Sequence, residues 1–564
     1  MMKYFGICLF LSVSLLGFGE TVFNFDKYHT AGSDPFETMS KLVELVRAEG
    51  GRDCKIVMSP KTYVFKKSKN YGAFLELKDI KNLTIDGRGA KVRIDPYNGF
   101  CKIQSCENVV VRNFDFALKR PAFAQGDIVD VHADGFTFRV DKGYPKPPSN
   151  EFTLKEYPTE KWRWGSVMER KTKQLKKNFS DHLFIESVEK TGKGLYRVRV
   201  RNDYVKRLTC DSPLSDGDVW VMPVYGERNP KIGGFLYTVS VVFSKDILVE
   251  NVRVSSTSHA GFSGSSNYGK LTLKNCVLTW REGSKDMISS WRDGSHFKNN
   301  KVGPTLDGCR FEGMLDDAIN ISAAPAFVVK EFSPTSFQMR RFGFSEGDRI
   351  GLLYGNTGEW KEGLRAAKGS KGMRLNIEKP IKFIMWKNIS EYDIVSGNSK
   401  ANTLGTQFFN MEYVNDGFAV RNCRFGVQRR CSMIIRAHNG VIENNVIDGG
   451  AGMRITNELG SWFEGPMPKN IVVRNNSVKV DRECVPVAVG NQFAVKPRKI
   501  DFDSNIKFDS NTIYAYSGES EHLLEIRNCK NVKGDGNKFY GASGGRIATE
   551  KAVGVTHSED VSIR

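Results

Sequence analysis

Three aspartates stand where a site for acid–base chemistry could form. Asp293 precedes the adjacent pair Asp316 and Asp317 by 23 residues, inside a region built of short repeats. That interval matches about one coil of a parallel β-helix, so closure of the coil would bring the three carboxyl groups to one patch of surface. Hydrolysis of a sugar needs one protonated carboxyl and one carboxylate, and this cluster could supply both.

A β-helical coil is expected because the chain repeats one short sequence motif, in which alternating aliphatic residues are followed by a polar residue and Asn or Gly. Copies include LTIDGRGAKVRI from Leu83, ILVENVRV from Ile247 and IVVRNNSV from Ile471. The alternation predicts strands, and a step of about 24 to 35 residues predicts a solenoid. We therefore expect an all-β fold, a right-handed parallel β-helix whose Asn residues form left-handed turns that stack from coil to coil.

Two long gaps interrupt the repeat, and both contain strand patterns of their own. We interpret them as small antiparallel β-barrels inserted into loops of the β-helix, which often shape a binding cleft. A helix from Phe36 is expected to cover the open end of the solenoid. The predicted units are an N-terminal β-helix part with this helix (20–118), a barrel (119–235), catalytic coils (236–322), a second barrel (323–390) and a C-terminal β-helix part (391–564).

The N-terminus predicts export. Residues 1–19 contain Lys3 and then an apolar run from about Phe5 to Phe18, which is typical of a signal peptide and too short to span a bilayer. No later stretch is apolar for 18 residues, so we expect an exported protein without a membrane span, in the periplasm, at the cell surface or in the medium. Several of the ten cysteines after Cys8 share one slot of the repeat, which favours buried thiols over disulfides.

Charge and histidine content narrow the functional classes. Lys and Arg exceed Asp and Glu by 83 − 64 = 19, which could indicate nucleic acid or an anionic glycan as partner. No run of five basic residues and no recognisable nucleic-acid module occurs, so a basic solvated surface is the simpler explanation and no nucleic-acid partner is expected. The eight histidines form no HxH or HExxH pattern, so we expect neither a metal site nor a cofactor.

The adjacent pair Asp316 and Asp317 predicts a local irregularity. Neighbouring residues of an ideal strand point to opposite faces, so both can face a cleft only at a bulge or bend. Stacking of coils places Asp293 roughly 5 to 9 Å from the pair, a range that includes the separation of about 6.5–9.5 Å found in inverting glycosidases. Crowding of like charges would raise one pKa, as a general acid requires, but the residues alone do not show which of the three is the acid.

Other side chains could hold the sugar hydroxyls. Arg436, Asn457 and Glu458 fall on coils that follow the acids, while His259 and Arg292 lie near the preceding coils and Trp462 could stack on a sugar face. Each also has an ordinary interpretation as a solvated arginine or acid, a ladder asparagine, a hydrogen-bonded histidine or a packing tryptophan. Asn320 fits either a ladder residue or a ligand for sugar.

The motif around the acids resembles glycoside hydrolase family 110. Trp-Arg-Asp-Gly ends at Gly294, and Leu-Asp-Asp-Ala-Ile-Asn begins at Leu315, inside a β-helix with two inserts. The resemblance implies an inverting exo-α-1,3-galactosidase that removes terminal galactose from blood-group B and related glycans without a metal. It also implies that Asp316 is the general acid and that Asp293 and Asp317 activate water, although the reverse order, with Asp317 as acid, stays open.

Two other functions are compatible with the sequence. A polygalacturonase-like hydrolase or a polysaccharide lyase would use the positive charge to bind an anionic glycan, and a lyase would add Ca²⁺ and a basic catalytic residue. A non-catalytic, glycan-binding β-helix would not need the three aspartates to converge. For the hydrolase, the partner is a galactose-terminated glycan, and an exposed side of the solenoid or a barrel face could form a homodimer.

Overall fold

The structure is a computed structural model. It describes residues 20–30, 32–65, 73–96, 99–147, 164–209, 212–224, 237–354, 357–386, 405–457, 462–491, 502–516 and 522–564. The predicted signal peptide, Glu458 and Cys210 lie outside the described residues. Among the described residues, no helix combines the length and the apolar character needed to cross a bilayer.

The chain winds into a parallel β-helix, as the repeat predicts. One wall, called sheet 2 below, contains eleven parallel strands, one from each successive coil. Their register is continuous through the middle of the molecule, where Phe262 pairs with Ser295, Ser295 with Ile319, and Ile319 with Met433. The strands of sheet 2 are Ala73–Lys78, Gly99–Gln104, Tyr237–Val242, Ala260–Ser265, Ser295–Lys298, Ile319–Ser322, Met433–Ile435, Met453–Thr456, Val487–Gly490, Leu524–Arg527 and Val553–Thr556.

The other walls belong to a 22-stranded sheet, called sheet 1, in which most coils contribute two short strands or one long bent strand. Alternating Val, Ile, Leu and Phe side chains from both sheets fill one continuous core. The strands of sheet 1 are Thr21–Asn24, Cys54–Val57, Thr62–Val64, Lys81–Ile94, Glu107–Leu118, Lys245–Ser255, Leu271–Lys274, Val277–Thr279, Thr305–Asp307, Arg310–Phe311, Ala419–Arg421, Arg424–Phe425, His438–Glu443, Val446–Asp448, Lys469–Arg474, Ser477–Lys479, Asp503–Asp509, Thr512–Tyr514, Lys530–Gly534, Lys538–Tyr540, Arg546–Ile547 and Glu559–Ile563.

The repeated Asn or Gly forms the corner between the two strands that a coil contributes to sheet 1. The corner residues have φ between 52° and 67°, the left-handed region that Asn and Gly tolerate best. They are Asn251, Asn275, Gly308, Asn422, Asn444 and Asn475. Because each corner repeats the same left-handed conformation, the coils stack without offset.

The residue after each corner points into the core and changes type along the helix. Cys276, Cys309 and Cys423 occupy this position in successive coils as buried thiols. Later coils use asparagine instead, and the Nδ2 of Asn445 donates to the Oδ1 of Asn476 at 2.9 Å. All nine cysteines within the described ranges are free, as the repeat position favours.

A helix precedes the coils, as expected. It spans Pro35–Ala48, and the side chain of Asp34 caps it by accepting a hydrogen bond from the backbone N–H of Phe36 at 3.0 Å. Its buried face, which includes Met39 and Leu42, joins the core of the first coils. The other short helical turns are Phe25–Tyr28, Asn202–Val205, Lys206–Thr209, Met411–Tyr413 and Thr549–Ala552.

The first insert is a closed antiparallel barrel of six strands. Its centre includes Trp220, which contacts Phe136 at a ring-centroid distance of 4.9 Å. The barrel strands are Phe123–His132, Gly135–Val140, Trp164–Met168, Leu183–Gly192, Leu195–Val200 and Val219–Pro223.

The second insert consists of two small antiparallel sheets around one apolar core. One sheet has five strands, Phe327–Ser333, Ser336–Arg340, Phe344–Ser345, Lys371–Gly372 and Arg374–Asn376. The other has three strands, Arg349–Tyr354, Trp360–Arg365 and Thr406–Asn410. The last of these strands lies beyond the sequence-predicted end of the insert at residue 390.

The two inserts lie at opposite ends of the strands of sheet 2. The barrel begins after the sheet 1 strand Glu107–Leu118 and ends before the sheet 2 strand Tyr237–Val242. The second insert begins after Ile319–Ser322, where a sheet 2 strand ends. The outer face of sheet 2 therefore runs from the barrel at the start of its strands to the second insert at their ends.

Candidate active site

The three aspartates lie in bent segments just before two neighbouring strands of sheet 2. Asp293 precedes Ser295–Lys298, and Asp316 and Asp317 precede Ile319–Ser322. Among residues 288–293, the only strand pairing is an isolated bridge at Ser290. The bends provide the irregularity that lets two adjacent side chains reach the same surface.

The strand register places Asp293 directly beneath Asp317. The backbone N–H of Gly294 donates to the carbonyl of Asp317 at 2.8 Å, and Ser295 pairs with Ile319. One carboxylate oxygen from each of the three aspartates lies within 4.8 Å of the others. This spacing is slightly shorter than the range of roughly 5 to 9 Å expected from sequence, because the two coils stack without stagger and are therefore one strand spacing apart.

Burial and the crowding of carboxyl groups raise two pKa values. Burial, and then the charges of Asp316 and Asp317, raise the pKa of Asp293 well above its ordinary value. Burial, and then the charge of Asp316, raise the pKa of Asp317 to about 7, although the backbone N–H of Cys431 donates to its Oδ1 at 2.9 Å. The stacked pair therefore retains a proton at pH values where an exposed aspartate would have lost it.

Asp316 differs from the stacked pair because it faces two arginines. The Nη1 of Arg292 lies 3.3 Å from Oδ2 of Asp316, and the Nη2 of Arg429 lies 3.9 Å from its Oδ1. Arg429 is itself fixed by groups outside the acid cluster. Its Nε donates to the carbonyl of Leu315 at 2.6 Å, and its Nη1 pairs with Asp181 of the barrel at 2.8 Å.

The barrel supplies an aromatic support for these arginines. Trp164, from a barrel strand, packs against Trp291 with ring centroids 4.4 Å apart. The guanidinium carbons of Arg429 and Arg292 lie 4.7 and 5.8 Å from the ring centroid of Trp164. We call Trp164, Asp181, Arg292 and Arg429 the barrel end of the site.

A second group of polar residues lies toward the other end of the sheet 2 strands. Glu464 is its centre, and Lys298 contacts Glu464 Oε1 at 3.0 Å, with the Nε2 of His296 3.6 Å from the same oxygen. The other oxygen accepts a hydrogen bond from Asn320 Nδ2 at 3.1 Å and pairs with Arg436. We call these five residues the Glu464 cluster.

The Glu464 cluster interacts electrostatically with the three aspartates. Burial alone would raise the pKa of Glu464, but Lys298, Arg436 and His296 outweigh burial and hold it well below its ordinary value. The resulting negative charge helps to raise the pKa of both Asp293 and Asp317. Burial and the charge of Lys298 lower the pKa of His296, which is therefore neutral near pH 7.

The residues predicted to bind substrate have different positions. Arg436 belongs to the Glu464 cluster and also donates from Nε to the carbonyl of Thr456 at 3.1 Å. Asn457 follows Thr456, is 3% exposed, and makes no hydrogen bond through either side-chain polar atom to any described residue. Arg292 lies at the barrel end, beside Asp316. Glu458 lies outside the described residues.

His259 and Trp462 differ in their surroundings. His259 is buried, its ring packs edge-on against Tyr237 at 5.4 Å, and its backbone carbonyl accepts hydrogen bonds from Arg292 N and Ser290 Oγ. It therefore helps to shape the segment that carries Asp293. Trp462 is 58% exposed, the largest exposed fraction among the large hydrophobic residues described.

The three carboxylates are close enough to serve as ligands of a divalent cation. Hard cations prefer such oxygen ligands. Some of that coordinating capacity is already used, because Asp316 pairs with Arg292 and Asp317 accepts the backbone N–H of Cys431. The arrangement therefore has the oxygen atoms for a cation and also has protein groups that balance part of the negative charge.

The sequence analysis missed Glu464, His296, Lys298, Arg429, Asp181 and Trp164. A signal existed for two of them, because His296 and Lys298 alternate with buried Phe297 on the strand that follows Asp293. Glu464 lies in an irregular segment, and Asp181 and Trp164 lie in an insert outside the repeat. Their positions depend on how loops and inserts fold back, which periodicity does not encode.

The fold and the acid cluster together define a β-helix protein with the groups needed for acid–base chemistry on a glycan. No protein-family model matches the chain. The chain is 23% identical over 466 residues to alpha-1,3-galactosidase B of Bacteroides thetaiotaomicron, with 78% of this chain and 71% of that protein covered. It is 24% identical over 431 residues to alpha-1,3-galactosidase B of Phocaeicola vulgatus, covering 71% and 67% of the two chains.

A further relative is alpha-1,3-galactosidase A of Bacteroides thetaiotaomicron, 22% identical over 450 residues, with 73% and 69% covered. These relatives confirm the resemblance to a galactosidase family that the aspartate motif indicated. Similar solved structures include a glycoside hydrolase at 10% identity, covering 97% and 96% of the two chains with a TM-score of 0.39. Another is an exopolygalacturonase from Thermotoga maritima at 13% identity, covering 95% and 91% with a TM-score of 0.34.

Proposed function

We propose that this protein is a galactosidase-type glycoside hydrolase that releases terminal α-1,3-linked galactose, by exo action, from blood-group B or linear Galα1-3Gal glycans. The observation that carries the proposal is the convergence of Asp293, Asp316 and Asp317, whose oxygens lie within 4.8 Å of one another on two stacked coils. The similarity to proteins named alpha-1,3-galactosidase supports the choice of galactose.

The stacked pair can hold the attacking water. A single water that donates two hydrogen bonds of about 2.8 Å spans acceptors roughly 4.5 Å apart. The spacing of Asp293 and Asp317 fits such a water, and Asp316 would then protonate the glycosidic oxygen. Attack by a water held in this way inverts the configuration at the anomeric carbon.

A second assignment of roles is favoured by the electrostatics. The pKa of Asp317, raised to about 7, is suited to a general acid that works near neutral pH. In this assignment Asp317 donates the proton, and Asp316, held by Arg292, activates the water. The short distance between the acids is also nearer to the separation of about 5–5.5 Å typical of retaining enzymes, so the stereochemistry is a direct test.

An anionic glycan is a poorer substrate for this site. Among the described residues, the cations that contact the acids or Glu464 are paired with protein carboxylates: Arg292 with Asp316, Arg429 with Asp181 and Asp316, and Lys298 and Arg436 with Glu464. A uronate would compete for partners that are already engaged. We therefore favour a neutral sugar over the polygalacturonase-like and lyase alternatives.

The proposals for the compartment and the oligomeric state rest on the sequence. We propose that residues 1–19 direct export to the periplasm, cell surface or medium. A homodimer through a solenoid side or a barrel face is compatible with the fold. Measuring the mass of the purified mature protein by light scattering, together with its N-terminal residue, tests both.

The decisive experiment is to incubate the protein with Galα1-3Gal and with the branched blood-group B trisaccharide and to follow the products by NMR. We expect free galactose whose first anomer is β, before mutarotation mixes the anomers. An α-anomer as first product would contradict the water-holding role of the stacked pair. No release of galactose from either glycan would contradict the proposed function.

A further inference from the structure

The segment that leads to Asp293 has little regular structure of its own. It connects the sheet 1 strand Val277–Thr279 to the sheet 2 strand Ser295–Lys298, and the isolated bridge at Ser290 is the only strand pairing between them. A sheet fixes its residues through a continuous ladder of backbone hydrogen bonds, and this segment lacks one. Contacts with other parts of the molecule must therefore help to fix the place of Asp293.

The barrel supplies such contacts to residues 281–287, which we call the docking loop. The hydroxyl of Tyr144 donates to Asp286 Oδ1 at 2.7 Å. The side chain of Gln125 donates from Nε2 to the carbonyl of Lys285 at 2.9 Å, and its Oε1 accepts from the backbone N–H of Met287 at 2.9 Å. Two barrel side chains thus bind three consecutive residues of the docking loop.

Asp286 is the centre of this contact. Its side chain is fully buried, and Arg281 of the docking loop donates to its two oxygens from Nε and Nη2 at 2.8 and 2.7 Å. Charge-assisted bonds of this paired kind fix orientation as well as distance. Burial, and then the charge of Asp286, raise the pKa of Tyr144 well above its ordinary value, so the hydroxyl remains a donor.

Apolar contacts continue from the docking loop toward Asp293. Met287, Ile288 and Trp291 belong to one buried cluster that also contains barrel residues. Trp291 is 2% exposed and stands two residues before Asp293. Because closely packed side chains cannot shift independently, a displacement of the docking loop is transmitted along this cluster to the segment that carries Asp293.

We propose that Asp286 is a positioning residue for the reaction, and that by fastening the docking loop to the barrel it fixes the place of Asp293 beside the other two aspartates. The inference rests on the proposed function and adds a residue that cannot contact substrate, since it is buried and both its oxygens are engaged. A catalytic group misplaced by about 1 Å can lower a rate by on the order of 10²-fold. Loss of Asp286 should therefore lower kcat and leave KM nearly unchanged.

The kinetic test uses two substitutions in the whole protein. Asp286→Asn keeps the shape of the side chain and removes its charge, and we expect kcat on Galα1-3Gal to fall roughly 10- to 100-fold with KM within about 2-fold. Tyr144→Phe removes one hydrogen bond and should lower kcat roughly 5-fold. Because Tyr144 acts through Asp286, the combined variant should lose no more activity than Asp286→Asn alone.

Hydrogen–deuterium exchange tests the positioning without turnover. The backbone N–H groups of Ser289 and Arg292 donate to the carbonyls of Gly313 and His259 at 2.8 and 2.9 Å, so they are protected while the segment is held. Asp286→Asn should speed exchange in peptides that cover residues 288–293 roughly 10-fold. Peptides from the sheet 1 strands should exchange as in the unmodified protein.

Asp218→Asn is the matched control for a purely structural role. Asp218 is a barrel carboxylate only 9% exposed, pairs with Lys176 at 2.9 Å and accepts the backbone N–H of Ser215 at 2.9 Å, all within the barrel. Its loss should destabilise the barrel but leave kcat within about 2-fold and exchange of residues 288–293 unchanged. If Asp286→Asn does not fold, Tyr144→Phe decides against the same control.

Normal kcat or unchanged exchange of residues 288–293 in the folded Asp286→Asn and Tyr144→Phe variants overturns the inference. Equal losses of kcat in Asp218→Asn also overturn it, because they would assign the effect to general destabilisation of the barrel. If the unmodified protein cleaves no α-galactoside, the proposed function fails, and the exchange measurement alone supports or overturns the hold of Asp286 on the segment. If galactosides are cleaved and the variants behave normally, the inference fails and the function stands.

Discussion

The two ends of the active-site face bury charge in different ways. At the barrel end, Arg429 is engaged by Leu315, Asp181 and Asp316 and packs against Trp164. In the Glu464 cluster, the central carboxylate is equally well held, but among the described residues Asn320 Oδ1 and both polar side-chain atoms of nearby Asn457 have no hydrogen-bond partner. A buried group with every partner in place positions its neighbours, whereas a buried group with a partner missing carries an uncompensated cost of burial.

The two inserts, which the repeat pattern alone does not distinguish, therefore make different contacts near the acids. The barrel supplies Asp181 and Trp164, which hold the arginines beside Asp316. On the other side, the segment that carries Glu464 packs against the second insert, where Phe463 contacts Phe327 at a centroid distance of 5.0 Å. The acids therefore lie between one end that the barrel supports and another that packs against the second insert.

The largest effects on kcat are expected from substitution of the three aspartates, which lie between the two ends. Asp293→Asn, Asp316→Asn and Asp317→Asn should each lower kcat on Galα1-3Gal roughly 10²- to 10⁴-fold, because each removes a proton-transfer or water-holding group. A 2,4-dinitrophenyl α-galactoside separates the roles, since its leaving group needs no proton. Only the variant that lacks the general acid should keep near-normal hydrolysis of this substrate.

Asp307→Asn is the control for these three variants. Asp307 pairs with Arg421 on sheet 1, away from the acids, and its loss should leave kcat within 2-fold. Recovery on the activated substrate by Asp317→Asn, and not by Asp316→Asn, would transfer the acid role to Asp317. Near-normal turnover of Galα1-3Gal by all three variants would contradict the mechanism altogether.

A smaller effect is expected when the barrel end is broken without touching an acid. Asp181→Asn removes the partner of the buried guanidinium of Arg429, which should lower the free energy of unfolding by about 2–4 kcal/mol. Arg429 should then shift toward Asp316, and kcat should fall roughly 10- to 100-fold through loss of alignment. Steady-state kinetics and denaturant unfolding measure the two effects.

The comparison for Asp181→Asn is Asp134→Asn in the same barrel. Asp134 pairs with Arg197 and Arg199 on the barrel surface, so its loss should change neither kcat nor stability by much. A rise in KM with unchanged kcat for Asp181→Asn would mean that the barrel end binds substrate and does not position Asp316. Restoration of kcat by Asp181→Glu would support positioning.

The repeat predicted the β-helix because its physical cause is local. An alternating strand and a left-handed Asn turn, as at Asn251 and Asn275, each depend on a few neighbouring residues. The local sequence of each coil therefore determines the conformation of that coil. The grouping of Asp293 with Asp317 followed from the coil length. The separation of their oxygens did not, because it depends on the absence of stagger between two coils.

The flanking residues show where sequence reasoning ends. Arg436 could be placed because it follows a sheet 2 strand, and its partner Glu464 could not, because the intervening segment is irregular. Asp181 and Arg429 are 248 residues apart and meet only because the barrel folds back on the coils. Such pairs depend on tertiary packing of an insert, which no repeat period specifies.

The raised pKa of Asp317 gives a prediction about stability. A carboxyl whose pKa is raised from 3.8 to about 7 on folding binds more protons in the folded state between these values. Its contribution to the free energy of unfolding is therefore greatest at low pH and is lost as pH rises from about 4 to about 7. An asparagine side chain cannot titrate, so the Asp317→Asn variant does not undergo this loss. The change in the free energy of unfolding caused by Asp317→Asn should therefore be more favourable at pH 7 than at pH 4, by roughly 1–3 kcal/mol.

Thermal unfolding of Asp317→Asn and the unmodified protein across pH 4 to 8 measures this difference. The midpoint of the variant should rise relative to the unmodified protein as pH increases, and the difference should level off above about pH 7. A difference that stays constant with pH would mean that the crowding of the three acids is relieved in some other way.

The smallest effect is expected from removal of metal ions. The three carboxylates could accept a divalent cation, but Arg292 already pairs with Asp316, and the backbone N–H of Cys431 already bonds to Asp317. If these groups provide the charge balance that catalysis needs, prolonged dialysis against EDTA should change kcat on Galα1-3Gal less than 2-fold. Added Ca²⁺ or Mg²⁺ should not increase it.

Loss of activity in EDTA with recovery in Ca²⁺ would show that a cation supplies the positive charge that we assign to Arg292 and Arg429. It would also revive the lyase alternative, since a metal bound among the aspartates could hold the carboxylate of an anionic glycan. The same dialysed protein, tested with Galα1-3Gal and with polygalacturonate, distinguishes the cases. A metal-dependent hydrolase cleaves the first, whereas a metal-dependent lyase cleaves the second and forms an unsaturated product that absorbs in the ultraviolet.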